Sequence, residues 1–494
     1  MRIKNFNLLL TLLFISSYMA YGDTLPLFKG VCMIEERIDL KGESIYLEDG
    51  VSLLFKDKAG IFNGSIITEG SLEIRGGYFE NVSINVNGKL VIKNSRFHCP
   101  NVNVVIYRPP LQKSYDKIKI KNCVFEEIGT KQGKQLSTIA AIYLQDVDGV
   151  LIERCTFSNI GNNETYNTSA ILIGTAAAET KYKNRRPNKN VTIKNSRFEG
   201  VYTEPSVKYN SGEEHLILIQ ATSEVQIVDN FLYNHNDSLN YDNEFIYTKC
   251  DNVTIKNNTI RGECGGEGFV CCKPYRFAGE TYLTHANIIH NDINGSGYTV
   301  CTQYGVGRIN KNTFTNDYTG FIIGIKKTLN SNDPANRVVK DYDRLEIVGN
   351  NIYSNCSIEQ IPYYTSTQRA AIHMDCSQDV NCSNLVIFKD NTVVINNTIF
   401  SSFLNLRDFR YSKFICSNNM VSYTGRNRMR FASFDIVDKS VKERRNAFFI
   451  MRKNIVHGIE DHVYVPNNAL LHDDLTVELD KDVIIVDKRA RWEL

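Results

Sequence analysis

The sequence predicts an all-β chain wound as a single-domain, right-handed parallel β-helix of about 13 coils. Three observations carry that expectation. A short phrase, apolar–x–Ile–x–x–x–x–apolar, recurs thirteen times along the 494 residues. Helical periodicity is almost absent, so the apolar residues belong to strands. The spacing between copies varies from 18 to 41 residues while the phrase itself does not, as in a solenoid whose loops absorb the differences.

In chain order the phrase reads "LEIRGGYF", "LVIKNSRF", "IKIKNCVF", "VLIERCTF", "VTIKNSRF", "VQIVDNFL" and "VTIKNNTI". It continues as "ANIIHNDI", "GRINKNTF", "LEIVGNNI", "LVIFKDNT", "KFICSNNM" and "FFIMRKNI". Each copy is a short strand, a polar Asn-rich turn and a second apolar strand. The expected inward anchors are Ile74, Ile92, Ile120, Ile152, Ile193, Ile227, Ile255, Ile288, Ile309, Ile347, Ile387, Ile415 and Ile450. A propeller or tandem sandwich would want hairpin turns, which are scarce. The Asn-x-Ser/Thr triplets fall mostly in these turns and are read as turn chemistry.

The ends differ from the middle. Arg2 and Lys4 precede an apolar run, Leu8 to Ile15, and then the small-residue segment Ala20 to Gly22. Residues 1–22 are therefore expected to be a secretory signal, with export to the periplasm or beyond. Residues 23–70 are expected to form an N-terminal cap and first coil, 71–460 the β-helix with its groove, and 461–494 a C-terminal cap. No later apolar run is long enough to span a bilayer. Without Arg2 and Lys4 the formal charge of +2 falls to zero. A neutral chain is no bulk polyanion binder, so nucleic acid is not expected as a partner, and an acidic substrate needs a local basic surface. A monomer is expected. The 13 cysteines form no C-x-x-C pair and read as small buried hydrophobes.

This pattern resembles the pectin-lyase-like superfamily along nearly the whole chain after the leader. That superfamily includes polysaccharide lyases, glycosidases, epimerases, esterases and phage tailspikes, so the fold does not choose the chemistry.

A second strand in each coil narrows the choice. Aligned on an inward apolar residue, these strands read "AIYLQ", "AILIG", "LILIQ", "FIYTK", "FVCCK", "TVCTQ", "FIIGI", "AIHMD" and "FLNLR". Their fifth places stack as Gln145, Gly174, Gln220, Lys249, Lys273, Gln303, Ile325, Asp375 and Arg407. Their third places run Tyr143, Leu172, Leu218, Tyr247, Cys271, Cys301, Ile323, His373 and Asn405. Lys249 and Lys273 are thus expected one rung apart, where two ammonium groups repel unless something anionic meets them. The plain alternative is a solvated lysine face that keeps the sheet soluble.

The stretch "DNEFIYTKCDNVTIKNNT", Asp242 to Thr259, resembles the active-site coil of the alginate lyase and chondroitinase B family of β-helix lyases. The resemblance implies Lys249 as the catalytic base, with Asp242 and Glu244 as Ca²⁺ ligands. The preceding "NSGEEHLILIQATS" is similar to a family segment that would add Asn210 and Glu214 as ligands. The chain departs from the family in having Asp at the first acid position and Lys273 in place of an arginine, with Arg276 three residues on.

Such a site would perform β-elimination on a uronic-acid polymer. A base removes the C5 proton, a cation neutralises the neighbouring carboxylate, and an acid protonates the departing oxygen. Lys273, Arg276 or Tyr275 could supply that acid. Gln220, Tyr247, Tyr275, Gln303, Arg369, His373, Arg407 and His215 are the expected substrate contacts. Basic loops holding Lys181, Lys183, Arg185, Arg186, Lys189, Lys326, Lys327, Arg337 and Arg369 suit carboxylates and sulfates. The expected substrate is therefore a glycosaminoglycan, chondroitin or dermatan sulfate or hyaluronan. A glycoside hydrolase on the same fold would need paired carboxylates; the outward columns supply Asp375 but no acidic pair, which counts against it unless the turns bring Asp242, Glu244 and Glu267 round. A non-catalytic glycan binder would need aromatic stacking surfaces, and Trp492 is the only tryptophan.

Overall fold

The computed structural model describes residues 29–109, 116–132, 138–162, 164–165, 167–174, 188–202, 213–235, 243–264, 268–277, 280–282, 284–303, 306–316, 322–326, 343–355, 370–375, 384–396, 402–407, 412–425, 429–435, 447–459, 461–464, 475–479 and 484–485. Among them there is no helix, and so none long and apolar enough to cross a membrane. The chain is a parallel β-helix, as expected: each short strand pairs parallel with strands one coil before and one coil after it. The one antiparallel pair among the described strands joins Tyr275–Phe277 to Glu280–Tyr282. The chain forms two compact units, Met1–Gln226 with Asn230–Leu232, and Ile227–Asp229 with Tyr233–Leu494. The leader at 1–22, the basic residues Lys181, Lys183, Arg185, Arg186, Lys327 and Arg337, and Glu267 and Trp492 lie outside the described residues.

In the first unit, stacking already begins at Val31–Ile34, which pairs with Val51–Phe55. An inward column then runs Leu53, Ile74, Ile92, Ile120, Ile152 and Ile193. Beyond the turn a second inward column holds Phe79, Phe97, Phe125, Phe157 and Phe198. Adjacent rings lie 4.8–5.0 Å apart and within 16° of parallel. In-register parallel pairing repeats each position every ~4.8 Å, so identical rings must stack.

The turn between these columns has one recipe. A residue in the left-handed region follows the inward anchor by two places, as Asn94 follows Ile92 and Gly349 follows Ile347. The next side chain points inward. In the first unit it is Ser95, Cys123, Cys155, Ser196 or Asn230, whose Oδ1 accepts from the Ser196 backbone N–H; in the second it is Asn258, Asn291, Asn312, Asn350, Asn391, Asn419 and Asn454. Each of the first six asparagines of the second unit donates its backbone N–H to the Oδ1 of the next at 2.8–3.0 Å. Each of the seven Nδ2 groups donates to a carbonyl of the preceding coil at 2.7–3.0 Å. All seven are buried, and the ladder satisfies amides that would otherwise be costly to bury.

The same ruler corrects three anchors. Ile347 pairs with Phe388, Phe388 with Cys416 and Cys416 with Met451. Those three residues are inward, not Ile387, Ile415 and Ile450, which sit one place earlier. Both places are apolar in these coils, so alternation alone fits either frame. The ten described cysteines are all buried and none is in a disulfide. Burial pushes the thiols of Cys99 and Cys272 up to about 12, which keeps them as inert small hydrophobes.

Two measurements check this packing. Phe388→Ala should cost about 3–5 kcal/mol in urea unfolding, and Ile387→Ala less than half as much. Asn350→Ala, which strands its ladder partners, should cost about 1–3 kcal/mol or more.

Candidate functional site

The strand Asn243–Cys250 of the second unit pairs in parallel with Val270–Lys273. The register sets Ile246 beside Val270, Tyr247 beside Cys271, Thr248 beside Cys272 and Lys249 beside Lys273. Thr248 and Cys272 are buried in the coil interior, so the alternation sends Tyr247 and the two lysines outward. The expected lysine pair is therefore real, and both lysines are only partly exposed.

Their side chains converge on one ring. Lys249 Nζ lies 5.6 Å and Lys273 Nζ 4.9 Å from the Tyr247 ring centroid. Both distances fall within cation–π range. The electron-rich face offsets part of the repulsion, a role that sequence alignment left to an external anion. Lys273 also donates a hydrogen bond to the Tyr247 oxygen. The ring packs against Cys271, Tyr298 and Cys301. Burial holds the Tyr247 phenol well above its ordinary value of 10.0, and the Cys271 and Glu244 charges add to that, while the Lys273 charge and hydrogen bond oppose it. Tyr247 is thus a protonated O–H donor at neutral pH.

Glu244 is 3% exposed, a buried carboxylate whose charge reaches the phenol. Beside it, Asn243 is buried with both side-chain amide atoms lacking a hydrogen-bond partner among the described residues. Nothing in the sequence distinguished Asn243 from the many turn asparagines.

Farther along the unit, the outward column departs from the sequence alignment by one place. Gln303 pairs with Lys326, not Ile325, and Cys301 with Gly324, not Ile323. The run Phe321–Ile325 is apolar enough to be read in either frame, and the hydrogen-bond register decides. Lys326 then pairs with Asp375, Asp375 with Arg407 and Arg407 with Asp435. By backbone register this is a column of alternating charge.

His373 corrects another expectation. It is 1% exposed, and its Nδ1 meets Asn405 Oδ1 at 2.9 Å. Asn405 Nδ2 donates to Ser433 Oγ at 3.0 Å. His373 belongs to a buried polar chain and does not present itself to a substrate. Tyr275 and Arg276 are carried on the antiparallel hairpin, paired with Tyr282 and Thr281. These two, with Gln303 and Arg407, are placed by backbone register alone.

In the first unit, Glu214, His215 and Gln220 all lie on the strand Glu213–Val228, and all three are buried. Glu214 is in register with Thr168 and His215 with Ser169. Lys189 is exposed and in register with Asp148. Asn210, Asp242 and Arg369 lie outside the described residues.

Of the four expected Ca²⁺ ligands, Glu214 and Glu244 are described and both are buried. Among the described residues no group of three or more His, Cys, Asp and Glu side chains comes together to hold a metal ion. A Ca²⁺ cage needs six to eight oxygens, and the described donors do not assemble one.

Comparison with protein-family models, with curated proteins and with solved structures finds no match for this chain.

The tyrosine gives a signed prediction. Its neutral form adds stability that is whole below pH 10 and is lost as the pH rises toward its raised folded value. Urea midpoints measured from pH 8 to 12 should fall less steeply for Tyr247→Phe than for the wild type. An equal fall would show that this phenol does not control alkaline stability.

Proposed function

We propose that this chain is an exported polysaccharide lyase that cleaves a uronic-acid-containing glycosaminoglycan, of the chondroitin, dermatan sulfate or hyaluronan kind, by β-elimination. The observation that carries the reading is the pair of half-buried lysines on adjacent rungs, both over the ring of one protonated tyrosine. One lysine to neutralise charge, a second to act as base and a neutral O–H donor to act as acid are what elimination next to a carboxylate requires.

Each group has a task. Lys273 pairs with the uronate carboxylate, which lowers the cost of negative charge building at C5. Lys249 Nζ first gives a proton to solvent and then accepts the C5 proton. The C–H electron pair becomes the C4–C5 double bond, and the C4–O bond breaks with its pair on the leaving oxygen. Tyr247 O–H protonates that oxygen. Lys273, already hydrogen-bonded to the phenol, stabilises the phenolate until solvent returns the proton. Tyr247 thereby takes the acid role that the sequence offered to Lys273, Arg276 or Tyr275.

The rival hydrolase has its clearest register in Asp375 and Asp435, two rungs apart with Arg407 between them. One assay separates the two. A lyase forms an ultraviolet-absorbing unsaturated uronate, whereas a hydrolase forms reducing ends without that chromophore.

With chondroitin sulfate, dermatan sulfate or hyaluronan as substrate, Lys249→Ala should abolish the absorbance increase while the urea midpoint stays near wild type. Near-normal rates in that variant would remove Lys249 from the chemistry. Tyr247→Phe should lower kcat about 100-fold or more with KM little changed. If calcium takes part, as the resemblance implies, chelation slows turnover and added Ca²⁺ restores it. An unchanged rate leaves carboxylate neutralisation to Lys273.

A further inference from the structure

We infer that the outer face of the first coils is a second binding groove, built for a neutral glycan chain. This inference stands on residues of the first unit alone and does not rest on the lyase reading.

The groove is an open trough of about 820 Å³, within the range of about 300–1,000 Å³ typical of ligand sites. Its lining runs from Gly42 to Tyr143 and, among the described residues, contains no charged side chain; amides, hydroxyls and two tyrosines dominate. These groups are stacked in register. Ser65 pairs with Ser83, their hydroxyls 2.8 Å apart. Asn85 pairs with Tyr107, and Tyr107 with Tyr143. The two rings lie 5.3 Å apart at 50°. The groove thus has a hydroxyl and amide floor that leads into an aromatic wall.

The walls are fixed before any ligand arrives. Gln145 Nε2 donates to the Tyr143 oxygen at 2.8 Å. Burial above all, with the Tyr107 charge adding, pushes the Tyr143 phenol up to about 12, so this wall stays neutral. Asn81 Oδ1 accepts from the Asn101 backbone, which ties the rim to the next coil. At Gly64, a Cβ would stand 2.3 Å from the Glu43 carbonyl oxygen, so only glycine lets the floor approach that turn.

The chemistry selects the ligand. Side-chain amides both donate and accept, as sugar hydroxyls require. Tyrosine offers a flat apolar face for the C–H side of a pyranose and a polar tip for its edge. The rung repeat of ~4.8 Å is close to the rise of one sugar in an extended chain. A sulfated or uronate chain would call for arginine or lysine, and the described lining has neither. A peptide adding as a strand needs an open sheet edge, and this face is closed by hydrogen-bonded coils.

The test uses the full chain and calorimetric titration with cellohexaose, xylohexaose, maltohexaose and N-acetylchitohexaose, against a chondroitin hexasaccharide. At least one neutral probe should bind with a submillimolar Kd. Tyr107→Ala should weaken that binding about tenfold or more, and Asn85→Asp, which keeps the shape, should weaken it as well. Lys249→Ala, which ends elimination in the lyase reading, should leave it unchanged, so failure of one idea is distinguishable from failure of the other. The inference is overturned if no neutral probe binds. It is equally overturned if both groove variants, folded by their urea midpoints, bind as the wild type does, or if the chondroitin probe is the ligand that Tyr107→Ala loses.

Discussion

Register is the constraint on which the rest depends. In the second unit each turn is tied to the next by an asparagine that spends its amide on three neighbours: a backbone N–H, a side-chain amide and a carbonyl of the preceding coil. Slipping a strand by one residue would turn its whole inward set outward. It would also break those bonds, and buried amides without partners are expensive. The ladder therefore does more than stabilise. It fixes which side chains stand side by side on the outer face, several residues away from the turn itself.

The lysine pair is where that fixed register has a chemical consequence. Two cations on adjacent rungs would normally be a liability. Here the ring of Tyr247 lies within 5.6 Å of both, and its own burial keeps it uncharged. A phenolate in the same place would pair with the lysines and quench the site as a proton donor. Burial and electrostatics pull the phenol in opposite directions, and burial wins. The buried Glu244 adds to that outcome from the same strand.

Much of the fold was legible because it repeats. Thirteen copies of one phrase fixed the strand direction, the inward isoleucines of the first ten coils and the adjacency of Lys249 and Lys273. Where the reading slipped, at Ile387, Ile415, Ile450 and again at Ile325, neighbouring places were both apolar. The left-handed residue two places after the anchor would have settled the last coils: Asp390, Asn418 and Lys453 mark it. No such marker exists for the outer strand at Ile325. The convergence of two lysines on Tyr247 was not legible at all, because it depends on side-chain directions and not on spacing. Nor was the burial of His215, Glu214 and His373, since polar residues on an outward column read as solvent-facing until the coordinates show them covered.

Up to Ser196 the turn position holds hydroxyls and thiols beside stacked phenylalanines, and from Asn230 onward it holds amides. Apolar contact loses driving force as water cools, whereas a closed amide ladder has no comparable dependence. Both halves bury Phe, Ile, Val and Leu side chains, so chilling weakens the apolar contribution along the whole solenoid. In the amide-laced coils the turns remain tied to one another by hydrogen bonds that do not depend on that contribution.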